Sequence, residues 1–223
     1  MEIIDTACRE GRQVLSEYES KLVLTAYGIP TTREILVHNI DGLKQAVESI
    51  GFPAAIKGCS PNISHKTDKG LIHLDVRSHD EATTAFESLA EVVKSPGGAV
   101  LVQEMIKGSR ELMVGMTRDP QFGPCVMLGL GGIFSEIIED VVFRLAPLSG
   151  LDAEEMMDAI KGRKILGPVR GMPPVDRDAL KRILLAVGRI GLENDRIKEI
   201  DINPLIIRGQ APIAVDALIV LGP

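Results

Sequence analysis

Residues 197–221, IKEIDINPLIIRGQAPIAVDALIVL, hold two apolar runs on either side of the pair Gly209-Gln210. Apolar residues at alternate positions around a short Gly-containing break mark a β-hairpin. A two-residue turn pairs Arg208 with Ala211. Counting back along both strands from there sets Asn203 directly across from Asp216, with both side chains on one face. Asp201 follows on that face by the two-residue period of a strand. Asp216 stands inside the apolar run IAVDALIV, where an ionised carboxylate is costly unless it is paired or bound to a metal. Three oxygen-bearing side chains converging without His or Cys suit a hard cation such as Mg²⁺, and so few protein ligands leave room for phosphates and water. A salt bridge to a nearby Arg or Lys would satisfy Asp216 as well, and spacing leaves both readings open.

Upstream of the hairpin, the segments AVLVQEMI, ELMVGMT, PCVMLGL and VVFRLAPL, from residue 99 onward, are short apolar strands separated by Gly, Asp-Pro and Gly-Gly breaks. Helices are predicted for Asp152–Lys161 and Asp176–Ile190, with GPVRGMPP between them. The first half reads differently, because helices and strands alternate there. Ser16-Glu17-Tyr18-Glu19 has capping-box spacing, and the helix it opens stops at Gly28-Ile29-Pro30. A second helix starts at Asp41, with Leu43, Ala46, Val47 and Ile50 on one face, and ends at Gly51. Pro53 to Lys57 reads as a buried strand and Leu71 to Val76 as another, before Ser78-x-x-Glu81 opens a further helix. The pattern implies an α+β chain of two lobes. Their boundary is expected in EMIKGSR, residues 104–110, with residues 1–15 as an N-terminal extension, a small lobe over about 28–103 and a large lobe over about 104–223.

The chain has 223 residues, a net charge of -6 and a pI near 5.3, with 45% hydrophobic and 25% charged residues. That composition is globular, and it speaks against nucleic acid or an anionic membrane surface as the main partner. The first residues carry charge where a signal peptide needs an apolar run, and no stretch approaches the ~18 apolar residues of a membrane span. A cytoplasmic location is the expectation. Cys8, Cys59 and Cys125 lie far apart in no C-x-x-C pair, so neither a disulfide framework nor a thiolate metal site is implied.

The loop KGCSPNISHKTDKG, residues 57–70, gathers Lys57, Lys66 and Lys69 with Ser, Asn, Thr and Gly over a short span. Phosphate is its natural ligand, although any one of these lysines taken singly reads more readily as a solvated surface charge. The chain has no G-x-x-x-x-G-K-[ST] motif, and Gly129-Leu130-Gly131-Gly132 lacks the dinucleotide-binding spacing. His65 sits inside the lysine-rich loop. With an unperturbed imidazole pKa of about 6.5, a neutral nucleophilic nitrogen is well populated at neutral pH, which suits a transient phosphoryl carrier; an orienting role is the alternative. Glu104 and Glu111 flank the expected boundary, where carboxylates could accept hydrogen bonds from a ribose.

Read together, LSEYESKLVLTAYGIP, SPNISHKTDKG, VQEMIKGSRELMVGMTRDPQFGP, GLGGIFSEIIEDVVFRLAPL, DINPLII and VDALI resemble, in order, the ATP-grasp domain of the ADP-forming acyl-CoA synthetases, typified by the beta subunit of acetate-CoA ligase and more distantly by that of succinyl-CoA synthetase. The resemblance implies an ATP-grasp fold with nucleotide bound between two lobes, and an acid-thiol ligase that couples ATP to ADP plus phosphate with formation of an acyl-CoA. It implies that Lys57 binds ATP phosphates, that Glu104, Met105 and Ile106 form the adenine-binding hinge, and that Glu111 lies at the ribose. Asn203 and Asp216 would be Mg²⁺ ligands, with Asp201 beside them, and His65 would shuttle the phosphoryl group. ATP or ADP and Mg²⁺ are the implied cofactors. A CoA-binding alpha subunit is the implied partner, in an α2β2 assembly. A regulatory nucleotide-sensing module joined to an acetyltransferase is the alternative. One position departs from the family, which usually continues this loop as D-x-G-G: here Leu71 follows Asp68-Lys69-Gly70.

Overall fold

The computed structural model describes residues 1–60, 70–94, 98–132 and 140–222. In chain order its elements are α1 (Glu2–Arg9), α2 (Glu17–Ala26), β1 (Glu34–Val37), α3 (Ile40–Ile50), β2 (Ala54–Cys59), β3 (Ile72–Val76), α4 (His79–Val92), β4 (Ala99–Glu104), β5 (Glu111–Asp119), β6 (Gly123–Leu130), β7 (Val141–Leu145), α5 (Gly150–Ala159), a 3₁₀ turn (Arg163–Leu166), α6 (Arg177–Glu193), β8 (Ile197–Arg208), β9 (Ala211–Ala214) and β10 (Leu218–Leu221). They group into two compact units. Among the described residues no helix is long and apolar enough to cross a membrane.

The smaller unit comprises residues 16–18 and 32–106. Its sheet is antiparallel, in the order β1-β4-β2-β3. Two helices cover one face because their apolar residues recur at helical spacing. In α3, Leu43, Ala46, Val47 and Ile50 are buried, the Asn39 side chain accepts the Gly42 N–H at the start, and Gly51 with φ +84° ends the helix. In α4, Ser78 caps Glu81 and the buried face is Ala82, Ala85, Phe86 and Leu89. These side chains close on Ile56, Val76, Val100 and Val102 of the sheet, and each large one buried contributes about 1.5–3 kcal/mol. Leu71 belongs to this same core, 2% exposed, its carbonyl accepting the Gly58 N–H at 2.9 Å. A packing role therefore accounts for the residue that departs from the family pattern.

The larger unit comprises residues 1–15, 19–31 and 107–223. Its sheet runs β10-β8-β5-β6-β7, with β9 paired to the far end of β8. Strand alternation divides the faces. Leu112, Val114 and Met116 of β5 and Val126 and Leu128 of β6 point into a core shared with Met156, Met157, Leu180, Leu184 and Val187 of α5 and α6. Both helices start on side-chain caps: Ser149 and Asp152 form a reciprocal capping box, and Asp176 accepts the Ala179 N–H. Met113, Thr117, Met127, Phe143, Glu199 and Asp201 occupy the other face, half-buried or exposed.

Residues 1–15, read from sequence as an extension, group with this larger unit. Ile4 and Ala7 of α1 and Leu15 are buried in its core, and the Leu15 N–H donates to the Ile219 carbonyl at 3.0 Å. The step from one unit to the other, after Ile106, falls inside the 104–110 segment.

Candidate functional site

In the larger unit the terminal hairpin turns at Gly209-Gln210. Arg208 pairs with Ala211 and Leu205 with Ala214, and beyond a break at residues 215–217 the same register resumes with Asp201 opposite Leu218. Asn203 and Asp216 are therefore level with each other at the break, as the two-residue turn requires. The broken ladder is closed locally: the Val215 N–H donates to the Pro204 carbonyl at 3.0 Å, and the Asp216 carboxylate accepts the Ala217 N–H at 2.8 Å. Asn203 is exposed, whereas Asp201 and Asp216 are half-buried.

Asp201 sits in the middle of the sheet, between Leu218 on β10 and Gly115 on β5. Burial, then the nearby carboxylates of Glu199 and Asp216, push its carboxyl from the ordinary 3.8 up to about 6. All three influences act in one direction and disfavour the ionised form of Asp201. A pocket of about 210 Å³ adjoins it, lined by Met113, Met116, Thr117, Met127, Phe143, Glu199, Ile200 and Asp201. Gly115 has no room for a side chain, since a Cβ there would lie 2.7 Å from the Ile200 carbonyl oxygen. Among the described residues no group of three or more His, Cys, Asp or Glu side chains could hold a metal ion. The oxygen set here is two carboxylates and the Asn203 amide, which suits a hard cation completed by phosphate and water oxygens.

Glu111 opens β5, opposite Ile206 on β8, and its carbonyl accepts the Gly131 N–H at 2.9 Å. Gly132, with φ +77°, lies so close that a Cβ would be 3.0 Å from the Glu111 carboxylate. The backbone at Gly132 thus lies against this side chain, in the left-handed conformation that favours glycine. Arg110, one residue earlier, is buried and donates to three backbone carbonyls: Ile165 and Gly167, each at 3.3 Å, and Gly209 at 2.7 Å.

In the smaller unit Lys57 lies on β2, in register with Ile72 and Leu101. Its side chain is only 4% exposed, and the ammonium donates to the Glu17 carboxylate at 2.7 Å; Glu17 itself is 0% exposed. Sequence reading placed Lys57 as a phosphate ligand but missed Glu17, forty residues away at the start of α2. The only hint was an acidic residue in a first helical turn, which the helix dipole explains equally well. Glu104, at the end of β4, accepts the Arg33 backbone N–H at 2.8 Å and lies 3.6 Å from the Arg33 guanidinium. Met105 is half-buried and Ile106 is buried. His65, the expected phosphoryl carrier, lies outside the described residues.

Fold and side-chain chemistry together define an ATP-grasp domain, and the model of that domain family matches residues 6–221. Two curated relatives from Pyrococcus furiosus cover nearly the whole chain. The beta subunit of its ADP-forming acetate–CoA ligase I is 42% identical, spanning 99% of this chain and 97% of the relative, and that of ligase II is 39% identical over the same shares. Among solved structures, an acetyl-coenzyme A synthetase 1 from Ca. Korarchaeum cryptofilum, in complex with coenzyme A, Ca-AMPCP and HgCl+, aligns with a TM-score of 0.93, 42% identity and 99% coverage of both chains. The same enzyme is also solved with a phosphorylated phosphohistidine segment, at a TM-score of 0.88 and 40% identity. The chain belongs to the ATP-grasp family and, within it, to the beta subunits of ADP-forming acetate–CoA ligases.

Proposed function

We propose that the chain is the nucleotide-binding subunit of a ligase that joins a carboxylic acid to CoA while converting ATP to ADP and phosphate. The observation that carries the site is the hairpin register, which sets Asn203 level with Asp216 and brings Asp201 into the field of Asp216 and Glu199. Asn203 and Asp216 are the residues that would hold Mg²⁺, with Asp201 beside them. Bound there, the cation would supply charge neutralisation across the terminal phosphates. Lys57 adds positive charge at the phosphates, the Glu104–Ile106 segment takes the adenine, and Glu111 the ribose. The remaining task is positioning for in-line transfer.

His65 accepts the terminal phosphoryl group: its imidazole nitrogen forms the N–P bond as the bond to the ADP oxygen breaks. The phosphoryl group then passes to chemistry on a CoA-binding alpha subunit, in an α2β2 assembly in the cytoplasm. Relatives that are ligase subunits along their full length favour this reading over a regulatory module. Reconstitution with an alpha subunit tests it. The pair should form acyl-CoA and neither chain alone should do so. His65→Asn should still bind ADP yet incorporate no label from [γ-³²P]ATP after an alkaline quench, and normal labelling in that variant would exclude the relay.

A further inference from the structure

We propose that Glu17 is the positioning residue for Lys57, holding its ammonium where the nucleotide phosphates are received; this rests on the reading of Lys57 as a phosphate ligand. A lysine head is a strongly hydrated point charge on a flexible four-carbon stem, so by itself it selects no direction. Here it is enclosed, 4% exposed, and one of its three N–H donors is committed to a carboxylate oxygen 2.7 Å away. That carboxylate is held firmly, since Glu17 is fully enclosed and stands in the first turn of α2, where the helix dipole favours a negative group.

Stability alone does not explain the pair. Enclosing two charges gains little over an apolar pair of the same volume. The surrounding strand, Ala54-Ala55-Ile56-Lys57-Gly58-Cys59, is otherwise small or apolar and buried throughout. A cation kept in such a strand, with its own counter-charge built into a separate helix, is arranged for direction rather than net charge. The carboxylate fixes where the ammonium lies at the end of its stem. A charge-assisted hydrogen bond of this type corresponds to roughly a ten- to hundredfold effect.

The test is calorimetric titration of the full chain with Mg-ADP and, separately, with adenosine, for wild type, Glu17→Gln, Lys57→Met and the double variant. Glu17→Gln is expected to weaken Mg-ADP about tenfold and to leave adenosine unchanged. On the Lys57→Met background it should add no further loss, since there is no ammonium left to position. Equal losses for Mg-ADP and adenosine, or the same loss with and without Lys57, would overturn the positioning role in favour of a merely structural one. Mg-ADP affinity in Glu17→Gln matching wild type, while Lys57→Met loses it, would overturn it too, leaving Lys57 as a ligand. If Lys57→Met binds Mg-ADP normally, the phosphate reading of Lys57 falls, and the positioning role with it. Should Glu17→Gln not fold, Glu17→Asp keeps the charge and shortens its reach. It is expected to lose affinity for Mg-ADP but not for adenosine, and affinity equal to wild type would again overturn the proposal.

Discussion

Each unit contains a charged centre shielded from bulk water at the candidate site residues, and the two differ in what surrounds the charge. In the smaller unit the Lys57 ammonium and the Glu17 carboxylate are enclosed together at 2.7 Å, cation against anion. In the larger unit Asp201 is half-buried, and burial, then the carboxylates of Glu199 and Asp216, push its carboxyl up to about 6. The first centre is complete within the protein. At the second, burial and two nearby carboxylates disfavour the ionised form of Asp201, and an arriving cation would relieve it.

The largest expected effect comes from breaking the balanced centre. Lys57→Met leaves the enclosed Glu17 carboxylate without this cation, a change that typically costs about 3–5 kcal/mol of stability. Adding Glu17→Gln removes the charge as well and should restore most of the loss, because two apolar or neutral groups of similar volume pack without it. Urea unfolding of the four proteins of this cycle measures the coupling. Additive losses would mean that the two side chains do not act as a pair.

The centre on the hairpin should respond through its ligand. Asp216→Asn keeps the shape and removes a charge from the oxygen set, so Mg²⁺-dependent ADP binding should weaken by about ten- to hundredfold, or ~1.4–2.8 kcal/mol. Binding of ADP measured in EDTA should change little. An unchanged Mg-ADP affinity would remove Asp216 from the proposed metal site.

How legible each centre was follows from the same contrast. Asn203, Asp201 and Asp216 sit on one hairpin, where the turn length sets the register and the register sets the neighbours. Gly209-Gln210 therefore told enough, and the pairing of Arg208 with Ala211 follows. Helices with clear caps and periodic faces, such as α3 and α4, were readable for a similar reason: their signals are local. Strand β1, only four residues long and half-buried over most of its length, carries no alternation strong enough to see, and it pairs with residues 100–103, far along the chain. Glu17 is the same case at a site. Its partnership with Lys57 is a side-chain contact between residues forty positions apart, and nothing in the local pattern distinguishes a carboxylate serving a distant lysine from one serving a helix end.

The smallest effect expected is a gain in stability, and its dependence on pH identifies its source. The Asp201 carboxyl titrates in the folded protein at about 6, above its ordinary 3.8. The native state therefore holds this proton more tightly than the unfolded chain does. The stabilisation that results is fully present below pH 3.8 and is lost as pH rises through about 6, leaving the ionised form at a disadvantage at pH 7.5. Asp201→Asn keeps the shape and removes the ionisation. In metal-free protein it should raise the melting temperature at pH 7.5 and leave it nearly unchanged at pH 4, at about 2–4 °C for each kcal/mol recovered. Adding Mg-ADP should narrow the difference, since a cation beside Asp201 would relieve the wild type and not the variant. Thermal unfolding at the two pH values, with and without Mg-ADP, distinguishes the cases. An equal gain at both pH values would assign it to packing, and no gain at pH 7.5 would mean that burial and the carboxylates around Asp201 do not disfavour its charge.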